Sequence, residues 1–280
     1  RQGQALGQYL SARSGRASVV IGCDPRPSGP GLVSSLASGL MDQGADVVDL
    51  GVMTTPGVAF LTRWIEADLG VSVSASHSSY EYNGFKLVNR RGLRLPREDE
   101  VEIEELIRAC LTQGAAPAAT LGQETPMPDL IDLYLEDHVR RFQDTQFDGL
   151  RLILDCAEGA AARVAPHVFQ RLGAQVTAIH AAGEGININH LCGSEHVHNS
   201  DLKCCVQDCN ADYGFAFDGD GDRLVVVDAA GRIYDGYDLL YALARIPGLS
   251  FLRGIARSIY DVDNVGRSAK RLKDKVSSDD

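Results

Sequence analysis

The sequence predicts an α/β fold built from two repeated α-β-α sandwich domains with mixed or parallel sheets. Short apolar runs of strand length alternate with amphipathic segments of helical length, and this alternation occurs in both halves of the chain. At 280 residues the chain is long enough to bury two cores. We therefore expect domains at 1–120 and 121–245.

In the first domain, strands separated by single helices predict a parallel sheet with right-handed crossovers. Buried strands are predicted at 17–24, 45–52 and 69–76, and helices at 29–44, 55–67 and 97–111. A segment rich in Ala, Gly, Pro and Thr at 112–129 has little apolar periodicity, so we interpret it as a linker.

The second domain repeats the order of the first. A helix near 129–142 leads into predicted strands at 150–156, 174–180 and 212–217, with helices at 159–173 and 200–210 between them. The third strand of each domain is followed by a polar segment of unusual composition. Because open α/β sheets bind ligands at the carboxyl ends of their strands, these two segments are the candidate functional site.

Composition and charge exclude several kinds of partner. The formal net charge is -11, with 38 acidic and 27 basic residues, which disfavours binding to nucleic acid. No apolar run reaches the roughly 18 residues that a membrane span needs. Seven cysteines without the spacing of a disulfide scaffold suit a reducing cytoplasm. We expect a soluble cytoplasmic protein, either a monomer or a homodimer, and the start at Arg1 rather than methionine suggests a fragment.

The segment FDGDGDR at 217–223 places Asp218, Asp220 and Asp222 at alternate positions with glycine between them. Three ionised carboxylates on one loop repel each other unless a cation lies among them, and oxygen ligands suit a hard ion such as Mg²⁺ or Ca²⁺. A calcium-binding EF-hand is excluded, because Arg223 stands where that motif needs glycine and Ala229 where it needs glutamate. We favour a Mg²⁺ loop over the alternative of an acidic solvated turn.

The segment SASHSSYEYNGFKL at 74–87 follows the third predicted strand of the first domain. It places Ser76 at the strand end, His77 beside it and Lys86 nearby. This set is typical of a covalent nucleophile or a phosphate carrier, although a polar turn that caps a helix fits the segment equally well. The G-x-S-x-G motif of serine hydrolases is absent, which argues against acyl transfer.

Taken together, these two segments resemble those of the α-D-phosphohexomutases, a family of phosphoglucomutases, phosphomannomutases and phosphoglucosamine mutases. The resemblance runs from about residue 5 to residue 245 and includes GCDPRPSG at 22–29 and VDLGVMTTPGVAF at 48–60. Because members of the family continue into a third domain, the resemblance implies that residues 246–280 are a divergent remnant or the start of a truncated third domain. Three further segments are most similar to the phosphoglucosamine mutase branch, namely LDCAEGAAARVAP at 154–166, GEGININHLCGSEH at 183–196 and YDGYDLLYALAR at 234–245.

The resemblance implies a role for each candidate residue. Ser76 would be the phosphoserine and Lys86 the general acid or base, while His77 would help to orient the phosphoryl group. The implied ligands of one Mg²⁺ per chain are Ser76, Asp218, Asp220 and Asp222, and the implied substrate- or phosphate-binding residues are Arg26 and Arg223.

The implied reaction is an isomerisation that interconverts glucosamine 6-phosphate and glucosamine 1-phosphate through a phosphoserine and a bisphosphate intermediate. A phosphosugar is the implied substrate, and glucose- or glucosamine-1,6-bisphosphate is the implied activator. Two alternatives stay open. One is a phosphomannomutase or phosphoglucomutase, and the other is an inactive fragment that binds metal and phosphate without turnover.

Some residues depart from the family pattern or invite another interpretation. Ser78 and Ser79 replace a usual Asn-Pro pair, and we expect the loss of the rigid proline to loosen the placement of Ser76. The turn with Asn187 and Asn189 is interpreted as a structural or interdomain loop. A zinc site is disfavoured because adjacent cysteines on a helix point apart; its candidate ligands are His196, His198, Cys204, Cys205 and Cys209.

Overall fold

The computed structural model describes residues 1–145, 147–198 and 201–245, and the segment predicted to begin a third domain lies outside the described residues. The predicted fold class is confirmed: two five-stranded mixed sheets, one in each half of the chain, pack against helices. Each half buries its own apolar clusters.

The first half forms a sheet with the strand order β4-β3-β1-β2-β5. Its elements are α1 (Gln2–Ser11), β1 (Ser18–Cys23), α2 (Gly29–Met41), β2 (Asp46–Val52), α3 (Thr55–Trp64), β3 (Leu69–Val73), β4 (Phe85–Asn89), α4 (Arg97–Gln113) and β5 (Glu124–Pro126). The strands β1, β2, β3 and β5 are parallel, as predicted for the three strands that the sequence indicates, whereas β4 runs antiparallel to β3.

Two parts of the first sheet differ from the predictions. The sequence predicts a third strand that runs to Ser76, but β3 ends at Val73. Ser76 has a φ of 53°, which is not an extended conformation, so it cannot continue the strand. The segment predicted as a linker also contributes an edge strand, since residues 124–126 pair with β2. Backbone hydrogen bonds hold this edge strand, all of whose residues are exposed, so it carries no apolar pattern that would predict it.

The second half repeats the arrangement with the strand order β10-β9-β8-β6-β7. Its elements are α5 (Ile131–Phe142), β6 (Arg151–Asp155), α6 (Ala165–Arg171), β7 (Gln175–Ile179), α7 (Leu202–Asp208), β8 (Tyr213–Phe217), β9 (Leu224–Asp228), β10 (Ile233–Tyr234) and α8 (Gly236–Arg245). β6 lies between its parallel partners β7 and β8, as β1 lies between β2 and β3. β9 runs antiparallel to β8, as β4 does to β3, so the predicted repeat holds for these four strands. The fifth strand differs, because β5 pairs in parallel with β2 whereas β10 pairs antiparallel with β9 at the opposite edge of its sheet.

One apolar cluster contains side chains from both halves. Leu50 and Leu61 of the first half pack in the same cluster as Leu135 and Val168 of the second. The aromatic rings of Phe60 and Tyr134 add to this contact, with centroids 5.3 Å apart. The helix α5 therefore packs against α3, and the shared cluster joins helices of the second half to the first sheet.

Candidate active site

The two segments singled out in the sequence meet where β3 and β8 end. β3 leads into the serine loop, residues 74–84, and β8 leads into the aspartate loop, residues 218–223. The Ser76 hydroxyl donates a 2.6 Å hydrogen bond to Asp218 Oδ2, and both side chains are buried. One site is therefore assembled from residues 142 positions apart in the chain.

The backbone of Ser76 adopts a conformation that is unusual for serine. Its φ angle is 53°, in the left-handed region, which costs a non-glycine residue roughly 1–3 kcal/mol. A short relay stabilises this conformation: the Ser76 N–H donates to Ser74 Oγ at 2.8 Å, and the Ser74 hydroxyl donates to Asp24 Oδ2 at 2.6 Å. The strained turn aims the Ser76 hydroxyl at the aspartate loop.

Arg26 binds the backbone of the serine loop. The guanidinium is fully buried, and its Nε donates to Asp24 Oδ2 at 2.9 Å. Its four remaining N–H groups donate to backbone carbonyl oxygens of the serine loop, which belong to Ser76, Ser78, Ser79 and Tyr82. All five N–H groups are thus engaged within the protein. The resemblance implies substrate or phosphate binding by Arg26, but the buried guanidinium has no N–H group left for a ligand, and we interpret Arg26 as a positioning residue.

Asn189 holds the same loop from the second half of the chain. Its Nδ2 donates to the carbonyl oxygen of Ser76 at 2.8 Å and to that of Ser78 at 3.0 Å. Asn189 is itself buried and has a φ of 58°. These bonds run to the backbone, so the Ser78 and Ser79 side chains that replace the usual Asn-Pro pair leave them intact.

The aspartate loop folds around the carboxylate of Asp218. The backbone N–H groups of Asp222 and Arg223 each donate to Asp218 Oδ1 at 3.1 Å. Gly221 has a φ of 70°, which a side chain rarely adopts. A Cβ at Gly219 would lie 2.8 Å from the Ser76 carbonyl oxygen, so only glycine allows the two loops to approach this closely.

Lys86 enters the site from the antiparallel strand β4. Its Nζ donates to Asp220 Oδ2 and to Asp222 Oδ2, each at 2.6 Å. The Thr55 hydroxyl, at the first turn of α3, also donates to Asp220 Oδ2. The strand pairs Lys86 with Ser72 of β3, which brings the ammonium next to the aspartate loop.

Burial and neighbouring groups shift the pKa values of Asp218 and Lys86. Burial, followed by the negative charge of Asp220, raises the pKa of Asp218 to about 6, although its bond from Ser76 opposes the shift. Burial lowers the pKa of Lys86, but hydrogen bonds and charges from Asp220 and Asp222 outweigh it, and the net pKa is raised. The site therefore concentrates negative charge that is only partly balanced by one lysine.

The donor set of the aspartate loop fits a hard divalent cation. One carboxylate oxygen each from Asp218, Asp220 and Asp222 lies within 4.8 Å of the others. Asp220 Oδ1 is shielded from solvent and has no hydrogen-bond partner among the described residues. A buried, unpaired carboxylate oxygen is costly unless a cation satisfies it, and an all-oxygen set is the one that Mg²⁺ prefers.

The remaining predicted residues lie at the edge of the site. His77 follows Ser76 and is exposed. Arg223 is half exposed, and its guanidinium donates to Glu195 Oε1 at 2.5 Å. Among the described residues, the disfavoured zinc ligands near α7 form no cluster of metal-binding atoms.

Comparison with known proteins decides the family. Two family models match the chain: "Phosphoglucomutase/phosphomannomutase, alpha/beta/alpha domain I" at residues 1–113 and "domain II" of the same family at residues 132–231. The chain belongs to this phosphohexomutase family. The resemblance noted in the sequence is thereby confirmed, and one family model matches within each half of the chain.

Individual members of the phosphohexomutase family are also similar to this chain. Phosphoglucosamine mutase from Pseudomonas paraeruginosa is 44% identical over 244 residues, which are 87% of this chain and 54% of the relative. Phosphoglucosamine mutase from Pseudomonas putida is 43% identical over 83% of this chain and 52% of the relative. The chain thus spans about half the length of the curated relatives that it matches.

Solved phosphohexomutase-like structures share the fold. A Phosphoglucomutase/phosphomannomutase family protein from Burkholderia thailandensis is 31% identical with a TM-score of 0.70, over 83% of this chain and 50% of that one. A structure from Thermus thermophilus gives a TM-score of 0.74 at 25% identity, over 90% of this chain and 56% of that one. In the part of the chain that the structure describes, no helix is long and apolar enough to cross a bilayer.

Two features of this phosphohexomutase site are not predicted by the sequence. The turn at Asn189 is interpreted there only as a structural or interdomain loop, and its contact with Ser76 depends on packing across 113 residues of chain. Thr55 is not singled out at all. The sequence signal that could have indicated Thr55 is the T-T-P segment in which it lies. In the structure this segment forms the first turn of α3, and the Thr55 hydroxyl contacts the aspartate loop.

Proposed function

We propose that the whole protein is a phosphohexomutase of the phosphoglucosamine mutase type, which interconverts glucosamine 6-phosphate and glucosamine 1-phosphate in the cytoplasm. The observation that carries the proposal is the 2.6 Å bond from Ser76 Oγ to Asp218, which joins a strained serine to a three-carboxylate loop. The sugar follows from the names of the relatives that are 43–44% identical. Seven unpaired cysteines are compatible with a reducing compartment.

In the proposed reaction, Ser76 carries a phosphoryl group. The free hydroxyl oxygen of the sugar monophosphate attacks the phosphorus, a sugar O–P bond forms, and the bond from phosphorus to Ser76 Oγ breaks. The resulting bisphosphate turns around in the site, and its other phosphate returns to Ser76 by the reverse step. Asp218, Asp220, Asp222 and a phosphoryl oxygen carried on Ser76 would hold Mg²⁺, which when bound offsets carboxylate charge and draws electrons from the phosphoryl group.

We assign the proton transfer to Lys86. The attacking hydroxyl loses one proton and the Ser76 oxygen gains one, so the step balances if a single group carries it. The Nζ of Lys86 lies 2.6 Å from both Asp220 and Asp222, and these acids favour its ammonium form. Lys86 therefore starts as the acid and can protonate the Ser76 oxygen as that oxygen leaves phosphorus.

The other residues have positioning or binding roles in this proposal. Arg26 and Asn189 hold the serine loop by its carbonyl oxygens, so that Ser76 presents its oxygen toward the aspartate loop. His77 and Arg223 are exposed enough to contact the phosphoryl group of a bound sugar. Pre-organised contacts of this kind reduce the cost of orienting the reactants.

The proposal is tested by following the phosphoryl group on Ser76. The protein is incubated with glucosamine 1,6-bisphosphate and MgCl₂, and intact mass with fragment mapping locates the modification. We expect one phosphoryl group on Ser76 that is discharged when glucosamine 6-phosphate is added. Ser76→Ala should stay unmodified, whereas Ser35→Ala, on the exposed side of α2, should accept phosphate on Ser76 as the unaltered chain does.

Other outcomes distinguish the alternatives. Faster discharge by mannose 6-phosphate or glucose 6-phosphate would assign the protein to the phosphomannomutases or phosphoglucomutases. A Ser76 that never accepts phosphate, in a chain that still binds Mg²⁺, would favour the inactive binding fragment.

A further inference from the structure

A second group of potential metal ligands lies at the carboxyl ends of β6 and β7, outside the aspartate loop. Asp155 is the last residue of β6, His180 follows β7, and Cys192 lies in the loop after it. One donor atom from each of these residues lies within 4.8 Å of the other two. Asp155 and Cys192 are buried, while the His180 ring is partly exposed, so an ion could reach the group from solvent past this ring.

The ring nitrogens of His180 lack the partners expected for a histidine with a purely structural role. Nδ1 is shielded from solvent and has no hydrogen-bond partner among the described residues. It lies 3.1 Å from Asp155 Oδ1, but the angles are not those of a hydrogen bond. Nε2 lies 4.0 Å from Asp201 Oδ2. Nδ1 is therefore the nitrogen available to an ion, because it faces Asp155 and has no hydrogen-bond partner among the described residues.

The carboxylate of Asp155 is held in place for such a role. The N–H of Ala157 donates to Oδ1 at 3.0 Å, and the N–H of Gly193 donates to Oδ2 at 2.8 Å. The second bond also fixes the backbone beside Cys192. A carboxylate oxygen can accept such a bond and bind a cation as well, because it carries two lone pairs.

We propose that Asp155, His180 and Cys192 form a second metal site that takes a borderline divalent ion of the Zn²⁺ class. Oxygen, nitrogen and sulfur donors together suit Zn²⁺, whereas Mg²⁺ disfavours sulfur and demands oxygen. On binding, the Cys192 S–H bond is replaced by a sulfur–metal bond and the proton passes to solvent. Three protein ligands leave a fourth position for water.

This site adjoins the loop that reaches across to the serine. Cys192 lies in the same loop as Asn189, whose side chain donates to the Ser76 carbonyl oxygen. Two residues after Cys192, the Ser194 N–H donates to the Phe217 carbonyl oxygen, next to the aspartate loop, at 2.8 Å. An ion at the second site would therefore link β6 and β7 to the loop that contains Asn189 and Cys192, and we expect this link to stabilise the fold.

Cobalt(II) is the probe, because a thiolate ligand gives Co²⁺ a characteristic charge-transfer absorption that oxygen ligands do not. Titration of the full chain with CoCl₂ in excess MgCl₂ should produce this band at one equivalent, and Zn²⁺ should displace it. Cys192→Ser should abolish the band, and His180→Gln should weaken Co²⁺ binding at least tenfold. Cys205→Ser and Asp220→Asn should retain the band, which separates this site from the other thiols and from the aspartate loop.

Absence of the band in the unaltered chain, or a band that survives Cys192→Ser, would overturn the proposal. Circular dichroism shows whether each variant is folded. If Cys192→Ser does not fold, the partly exposed His180 decides the question, and unchanged Co²⁺ affinity in His180→Gln would refute the site. These readouts do not depend on phosphoryl transfer, so they stand apart from the proposed mutase activity.

Discussion

At the scale of single residues, two basic side chains of the site have opposite environments. Arg26 is fully buried with all five N–H groups bonded to the protein, whereas Lys86 is partly exposed and faces two carboxylates. Each lies in a segment that resembles a family motif, GCDPRPSG for Arg26 and YNGFK for Lys86, so the sequence alone allows either side chain to bind phosphate. Burial distinguishes them, because a buried guanidinium without a free N–H cannot approach a substrate.

Removal of the Arg26 side chain should destabilise the protein strongly. Arg26→Ala leaves the buried Asp24 without its ion-pair partner and removes one donor from each of four carbonyl oxygens, so we expect the free energy of unfolding to fall by about 3–5 kcal/mol. Urea denaturation measures the change. Arg90→Ala, which removes an exposed pair with Glu66, is the matched control and should cost less than about 1 kcal/mol. Equal losses in the two variants would contradict the positioning role.

Metal binding should depend on Asp220. Asp220→Asn removes one of the three negative charges of the loop, and it replaces a carboxylate whose Oδ1 is buried without a partner among the described residues. We therefore expect the affinity for Mg²⁺, measured by isothermal titration calorimetry, to fall by about tenfold or more. Asp208→Asn, an exposed aspartate at the end of α7, is the control and should leave affinity unchanged. Mg²⁺ binding that is unaffected by Asp220→Asn would refute the assignment of the loop.

At the scale of elements, the site depends on the close approach of loops that follow β3 and β8. Neither loop has regular structure, and each is held by side chains from elements distant in sequence, such as Arg26 after β1 and Asn189 after β7. The antiparallel strand β4 supplies Lys86, and its residues are only half-buried, which explains why their weak apolar pattern does not predict a strand.

A methyl group on the aspartate loop should separate the two loops. A Cβ at Gly219 would lie 2.8 Å from the Ser76 carbonyl oxygen and 2.7 Å from Ile188 Cδ1, so Gly219→Ala should cost about 1–3 kcal/mol and weaken Mg²⁺ binding. Gly31→Ala is the control: no atom lies within 4 Å of its Cβ position in α2, and the change should raise stability by about 0.5–1 kcal/mol. Chemical denaturation of both variants, combined with Mg²⁺ titration, checks the pair. A Gly219→Ala protein as stable as the unaltered chain would show that the loops tolerate a wider gap.

At the scale of the whole molecule, the two domains share an apolar cluster rather than a polar hinge. Leu135 of α5 is buried in this cluster with residues of α3 and β2. Shared apolar burial couples the stability of the two sheets, so we expect the chain to unfold in a single cooperative transition.

Truncation of this shared core tests the coupling. Leu135→Ala should lower the free energy of unfolding by about 2–5 kcal/mol, because it leaves a cavity between the two halves. Leu111→Ala, at an exposed position of α4, should change it by no more than about 0.5 kcal/mol. Differential scanning calorimetry should show one transition in the unaltered chain, and two resolved transitions would show that the domains unfold independently.

The alternation of strands and helices, the repeat and the candidate serine, lysine and aspartates could all be predicted from the amino-acid sequence. These are local features. Apolar periodicity indicates which faces are buried, and three closely spaced aspartates repel one another unless a cation lies among them. The family motifs could be recognised for the same reason, since each is a short contiguous run.

How those residues work together depends on tertiary packing. The 2.6 Å contact between Ser76 and Asp218, the burial of Arg26 and the role of Asn189 join parts of the chain separated by 50 to 142 residues. The edge strand β5 and the antiparallel strand β4 likewise exist because a neighbouring strand offers backbone donors and acceptors. Long-range contacts of this kind leave no periodic signal in the sequence, because the packing of whole elements sets the partner of each group.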